Sequence, residues 1–263
     1  MNELELYFEN NQARLMHKYQ HYFDVYDRYF NVFKNKKITI VEIGISHGGS
    51  LQMWKGYFGA SATIWGIDID PRCKSLEEEN IHVLIGSQED PKFLQSVIEK
   101  IGPIDILIDD GGHTQNQQKV SFEILFNAIQ PNGIYLCEDT HTSYWNTYGG
   151  GYKRKGSFTE YAKNLIDQIN AYHSEQPDLK VTTFTKSANT IHFYDSIIVI
   201  EKKERNPPKP KMTGHPSFTA TIETKTFFEK LTLHFLNRSN KILQKLKLPG
   251  YKINRMIELN SKK

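Results

Sequence analysis

The stretch ITIVEIGISHGGS (residues 38–50) decides how the chain is read. Its first seven residues form a short apolar run that stops at Gly44, which reads as a strand buried in a sheet. Its last residues open a helix, SLQMWKGYFG (50–59), that Gly59 stops. The same unit then repeats. TIWGIDID (63–70) reads as a second strand, and Pro71 opens a short acidic helix. IHVLIG (81–86) reads as a third strand before a helix over 90–101. IDILIDD (104–110) reads as a fourth before a helix over 116–129. After a Pro-Asn-Gly turn at 131–133, IYLCED (134–139) reads as a fifth. Apolar strands alternating with helices predict an α/β fold with a parallel sheet covered on both faces.

The pattern changes on either side of this block. Residues 12–33 place Leu15, Tyr19, Tyr22, Phe23, Tyr26, Tyr29, Phe30 and Phe33 three or four apart, which predicts an N-terminal helical segment packing an aromatic face on the body. KVTTFT (180–185) and TIHFYDSIIVIE (190–201) read as two final strands, arranged as a hairpin, which makes seven. Residues 206–217 hold four prolines and read as a linker. The run 226–248 is basic and amphipathic. The division predicted is therefore 1–37, 38–205 and 206–263.

Composition bounds the function. With 38% hydrophobic residues in 263, the chain can build a substantial core. No apolar run approaches the ~20 residues of a membrane span, and the acidic N-terminus does not read as a secretory signal. Cys73 and Cys137 sit in or beside apolar runs and read as buried free thiols of a cytoplasmic protein. The net charge of +3 is uneven: residues 202–263 hold 15 Lys/Arg against 4 Asp/Glu, and the rest hold 18 against 26. An acidic body does not suit nucleic acid. The basic tail suits the inner face of an anionic membrane, an oligomer contact, or plain solvation.

Ligands of open α/β sheets bind at the carboxyl ends of the strands. There the first strand ends in Glu42, Gly44, Ser46, Gly48, Gly49 and Ser50, with glycines that allow close backbone approach before a helix. Ser46 stands where the second glycine of a dinucleotide fingerprint would be, which disfavours a nicotinamide-dependent oxidoreductase. Asp68, after the second strand, is placed to accept from a ribose hydroxyl pair. Ser87 and Gln88, after the third, offer polar contacts to a purine edge.

The fourth strand ends in Asp109-Asp110-Gly111-Gly112-His113 and the fifth in Glu138-Asp139. On adjacent parallel strands Asp110, Glu138 and Asp139 converge, and three like charges need a cation between them. An all-oxygen set suits Mg²⁺. Asp109 falls nearest the cofactor loop. His113, reaching back across two glycines, reads as a general base. Beyond them, TSYWNTYGGGYKRKGS (142–157) reads equally as a lid that its three glycines allow to close or as an aromatic loop packed on the body. Its Tyr144, Trp145, Tyr148 and Tyr152 are suited to stack on the ring of an acceptor, with His141 just before it; its Lys153, Arg154 and Lys155 suit an anionic acceptor.

In VEIGISHGGSLQMWK, GIDIDP, DDGGH, EDTHTSYW and GSFTEYAKNLIDQINAYH the chain resembles the class I S-adenosylmethionine-dependent methyltransferases. Within them it is similar to the metal-dependent O-methyltransferases of macrolide sugars and rhamnosyl groups, some relatives of which carry a cephalosporin hydroxylase label. The resemblance runs from about residue 17 to 217. It implies a Rossmann-like seven-stranded sheet, mostly parallel, with the last strand antiparallel and helices on both faces. It implies S-adenosylmethionine at the strand-end residues above, a metal on Asp110 and Glu138-Asp139, and His113 as base. The activity implied is methylation of a sugar hydroxyl whose vicinal neighbour shares the cation. A nucleotide-activated sugar or a polysaccharide or capsule precursor is the expected acceptor, and a homo-oligomer is expected. The alternatives are a catechol-like or other small hydroxylated acceptor, and a nucleoside-binding module without catalysis. The large N-terminal region of the macrolide enzymes has no counterpart here, so assembly and acceptor do not carry over.

Overall fold

A computed structural model describes residues 1–218, 227–246, 248 and 250. The chain divides into two compact units, 1–208 and 209–263.

The first unit is built on strands β1 (Thr39–Ile43), β2 (Thr63–Asp68), β3 (Ile81–Ile85), β4 (Ile104–Asp109), β5 (Ile129–Cys137), β6 (Ala188–Phe193) and β7 (Ile198–Lys202). They form one sheet in the order β3-β2-β1-β4-β5-β7-β6. β1 to β5 pair in parallel, and β7 runs antiparallel to both β5 and β6. The helices are α1 (Glu3–Glu9), α2 (Tyr22–Phe30), α3 (Gly49–Phe58), α4 (Pro91–Ile101), α5 (Gln115–Leu125), α6 (Phe158–Ile169) and α7 (Thr183–Ser187).

Side-chain alternation along the central strands divides the core in two. Ile40, Ile106 and Ile108 point into one cluster with Trp54 and Phe58 of α3 and the aromatic face of α2. Val41, Ile43 and Leu107 point into the other, with Leu94 and Val97 of α4, Phe122 of α5 and Phe158 and Leu165 of α6. Strand order reverses between β1 and β4, which leaves a crevice at their carboxyl ends. The sequence's candidate residues hang over that crevice. Cys73 and Cys137 are free and buried.

Three local expectations are corrected. The aromatic periodicity of 12–33 does not form one helix: the α-helix is Tyr22–Phe30, followed by a 3-10 turn at Asn31–Phe33, and residues 11–19 run without helix or strand. Tyr19 continues the aromatic pattern from a turn, packing on Tyr22 and edge-on to His141. KVTTFT contains no strand. The Thr182 side chain caps α7 with a reciprocal Thr182–Thr185 bond pair, so its threonines serve a helix start. The final hairpin comes entirely from 188–202. The Pro-Asn-Gly group at 131–133 lies within β5, where the register against β4 shifts between Ile104 and Ile106. Apart from these three, the loop at 142–157 carries internal backbone bonds: Gly150 N donates to Trp145 O and Gly151 N to Ser143 O.

In the second unit α8 (Phe227–Lys245) is the described element. Leu231, Phe235 and Ile242, at helical spacing, are exposed, and Arg238, Lys241 and Lys245 are exposed beside them. No described helix is long and apolar enough to cross a membrane. The rest of the tail, 251–263, lies outside the described residues.

Candidate active site

At the crevice a cavity of about 410 Å³ is lined by the ends of β1, β2, β3 and β4 together with Leu15, Met16, His17 and Lys18. Gly44, Ser46, Ser50, Asp68, Ser87 and Gln88 all face it, as does Asp110 with the following Gly-Gly-His turn. Asp68 is fixed by the chain it serves: Ile45 N and Ser46 N donate to its Oδ2 at 3.0 Å each, and Asp70 N to its Oδ1 at 2.9 Å. A carboxylate has about four acceptor sites, so capacity is left for a diol. Ser46 is held at φ 44°, a left-handed conformation unusual for a side chain-bearing residue.

Two expected cofactor residues lie behind the wall. Asp109 is fully buried and does not line the cavity. It accepts from Gln88 Nε2 at 3.1 Å and from Ser121 Oγ, and burial raises its pKa. Gln88 Oε1 accepts from Gly112 N at 2.8 Å. Asp109 and Gln88 thus brace the turn that carries His113. Glu42 is also fully buried; it accepts from Ser50 Oγ at 2.7 Å and stands 3.6 Å from Lys18 Nζ.

The turn after β4 explains its glycines. A Cβ on Gly111 would lie 1.9 Å from Gln88 Oε1, and one on Gly112 2.4 Å from Gln117 Nε2. His113 follows at φ 56°, and Thr114 caps α5 in a capping box with Gln117. Thr142 Oγ1 donates to His113 O at 2.8 Å. The ring is directed: Nδ1 is buried with no partner among the described residues, while Nε2 stands 3.4 Å from Asp139 Oδ2 and 3.9 Å from Asp110 Oδ1. Asp139, at φ 52°, accepts from Tyr22 Oη at 2.6 Å through its Oδ1. Three of the site's residues therefore sit in a strained backbone region, as functional residues commonly do.

Ligand atoms of Asp110, His113 and Asp139 lie within 4.8 Å of one another, the one group among the described residues arranged to share a metal ion. Glu138 is placed differently. It is 1% exposed, and both its oxygens accept from Lys18 Nζ, at 2.9 and 3.0 Å. Lys18 also donates to Asp110 Oδ2 at 2.6 Å and is itself only 4% exposed. Burial pushes the Asp110 carboxyl up to about 7, reinforced by Glu42 and Asp139 and opposed by Lys18. Burial, then the Asp110 charge, pushes Glu138 up to about 8, again opposed by Lys18. Burial opposes the Lys18 charge, but the surrounding carboxylates outweigh it and hold its pKa well above the ordinary value. Sequence reasoning misses Lys18 and Tyr22 as site residues, because neither lies at a strand end.

Of the expected acceptor residues, His141 lies 4.0 Å from Asp139 Oδ1 and bonds Ser196 Oγ. Trp145 packs edge-on to His141 and against Tyr148. Tyr144 and Trp145 are half exposed, and none of the four lines the cavity itself. His141, and through it Trp145 and Tyr148, stand on the Asp139 side.

No protein-family model matches the chain. It is 32% identical over 193 residues to the Streptomyces olivaceus 8-demethyl-8-alpha-L-rhamnosyl tetracenomycin-C 2′-O-methyltransferase, covering 69% of this chain and 50% of that one. It is 34% identical over 190 residues to the Streptomyces fradiae demethylmacrocin O-methyltransferase, covering 67% and 47%. The chain thus spans about half the length of the curated relatives it matches. Among solved structures it is similar to the MycE methyltransferase of mycinamycin biosynthesis in complex with Mg, SAH and mycinamycin VI. The TM-score is 0.68 at 28% identity, over 88% of this chain and 58% of that one.

Proposed function

The chain has the class I methyltransferase fold and is a homologue of sugar O-methyltransferases, and on that premise we propose that it transfers a methyl group from S-adenosylmethionine to a sugar hydroxyl with a divalent cation. The observation that carries this reading is the position of His113 Nε2, facing both Asp110 and Asp139 at the edge of the cavity that Asp68 and the glycine loop enclose. The donor set fits a hard cation: carboxylate oxygens with one imidazole, no thiolate, and surplus negative charge. Asp110 and Asp139 would hold it, with Glu138 behind them. When bound, such a cation polarises a hydroxyl and offsets charge developing on it.

The chain's own residues do the rest. Asp68 grips the ribose of the donor, and Gln88 with Ser87 faces the base. His113 takes the hydroxyl proton at Nε2, where Asp139 Oδ2 is positioned to accept a bond from the new N–H. Tyr22, through Asp139 Oδ1, fixes that carboxylate's orientation. His141, Trp145 and Tyr148 form the acceptor's approach. We assign the acceptor to the class of glycosides or activated sugars bearing vicinal hydroxyls. Incubating the protein with S-adenosylmethionine, Mg²⁺ and a panel of nucleotide sugars and rhamnosides should yield a methylated product by mass. The transfer should stop with excess EDTA and resume on adding metal. Transfer unaffected by EDTA would sink the metal assignment, and no product with any hydroxylated acceptor would sink the activity.

The exposed apolar side of α8, edged by Arg238, Lys241 and Lys245, supports a second property, reversible docking on an anionic bilayer. The full chain should sediment with vesicles containing phosphatidylglycerol at low salt. It should release as ionic strength rises, and Phe235→Asp should weaken it several-fold. Equal binding to neutral vesicles, or none at low salt, would rule the docking out.

A further inference from the structure

Lys18 is the least expected member of the site. It belongs to the stretch 11–19, which has no regular structure, yet its side chain is almost wholly buried among carboxylates carried by three strand ends. The same stretch forms one wall of the cavity through Leu15, Met16 and His17. It passes so close to the glycine loop that a Cβ on Gly49 would meet Arg14 O and Leu15 O at 2.5 Å. Side chains fasten it at both ends. Arg14 Nη1 donates to Leu76 O at 3.0 Å and pairs with Glu78 at 3.1 Å. Lys18 reaches Asp110 and Glu138 at the other end. The Arg14 ties are partly exposed and weak, whereas breaking a buried, multiply bonded pair is costly.

We infer that Lys18 is a positioning residue, a latch that holds the 11–19 wall over the cofactor cavity by anchoring it to Asp110 and Glu138. Glu42, the third carboxylate, stands 3.6 Å from the ammonium and adds to its hold without a hydrogen bond. Lys18 takes Asp110 Oδ2 and both Glu138 oxygens, while Asp110 Oδ1 and Asp139 Oδ2 face His113, so the latch and a cation would use different oxygens. Binding on the cofactor side therefore depends on residues of the acidic side, because only protein with the wall in place offers the complete cavity, and apparent affinity scales with that fraction.

This inference rests on reading the cavity as the cofactor site, and calorimetry of S-adenosylhomocysteine with hydrogen exchange of the full-length chain in EDTA separates the two. Lys18→Met should lose at least about tenfold in affinity, with faster exchange across 11–19. Glu138→Gln should lose about threefold in the same direction, although Glu138 does not line the cavity. It carries the test alone if Lys18→Met does not fold. Wild-type affinity and wild-type exchange in the folded variants would overturn the latch. If the wild-type chain itself bound no S-adenosylhomocysteine, the cofactor reading would fall, and the exchange of 11–19 in the variants would still decide whether Lys18 holds the wall.

Discussion

Replacing His113 with alanine is expected to slow methyl transfer by about two to four orders of magnitude while Mn²⁺ still binds. Two roles compete for this ring. Its Nε2 faces Asp110 and Asp139 closely enough to be a third ligand, and it stands at the cavity edge where a base must stand. Nε2 is the nitrogen that acts in either role, so Nδ1 carries the N–H in both and does not separate them. The reading as a base rests on the place of Nε2, where a captured proton can be shared with Asp139 Oδ2 at 3.4 Å. Asp110 and Asp139 retain their oxygens in the variant, so the cation keeps its principal partners. Single-turnover transfer read beside Mn²⁺ binding by electron paramagnetic resonance separates the roles. Loss of both would make His113 a ligand, and a rate within tenfold of wild type would deny it either role. Added imidazole should restore part of the rate only if the missing group is a proton acceptor.

The frame of the site is legible because strand ends announce themselves. A buried parallel strand is a short apolar run, and the first polar residues after it must lie at the sheet's carboxyl edge. That logic alone gathers Gly44, Asp68, Gln88, Asp110 and His113 around one cavity. It cannot rank residues within a strand end. Asp109 and Asp110 are neighbours in sequence, but the pleat sends Asp109 into the core against Ser121 and leaves Asp110 facing the cavity. Glu138 and Asp139 part in the same way: β5 ends at Cys137, and the left-handed turn at Asp139 sends one carboxylate inward to Lys18 and the other outward to His113.

What comes from outside the sheet is not legible at all. Lys18 is one of 33 basic residues, and no local pattern marks the one that folds back across 92 residues to Asp110. Its segment even carries a misleading signal. Aromatic spacing from Leu15 to Phe33 suits a helix, but Leu15 and Tyr19 are exposed on an irregular stretch that the buried lysine anchors. A tertiary charge interaction overrides local periodicity. The reverse holds at Thr182, where β-branched residues suggest a strand and a local hydroxyl cap favours a helix.

Gly44 looks, from its place after a strand, like a residue that makes room for a ligand; the structure gives it a harsher constraint that sets the second large prediction. Its φ is 83°, and a Cβ there would lie 2.0 Å from Asp110 O and 2.6 Å from both Asp110 C and Gly111 Cα. All three are backbone atoms that no rotamer change can move. The two chain segments are also tied, since Asp110 N donates to Ile43 O at 2.9 Å, and Gly44 N is held from the other side by Ile67 O of β2 at 2.7 Å. Alanine at 44 must therefore prise β1 from the turn that carries Asp110 and His113, as well as adopt a left-handed conformation. The second cost alone is about 1–2 kcal/mol, and the forced separation adds about 1–3 kcal/mol. Gly102 supplies a stringent control: its φ of 77° and ψ of −147° lie in a region nearly reserved to glycine, and no described residue lies within 4 Å of the position a Cβ would take there. Gly102→Ala should show the conformational cost in urea unfolding and bind S-adenosylhomocysteine normally. Gly44→Ala should be less stable than Gly102→Ala and lose cofactor binding by at least about a hundredfold, since the wall and the turn move together. Equal stability of the two variants with cofactor binding intact would mean that the β1–β4 contact is soft, and that the site does not depend on the close backbone approach at Gly44.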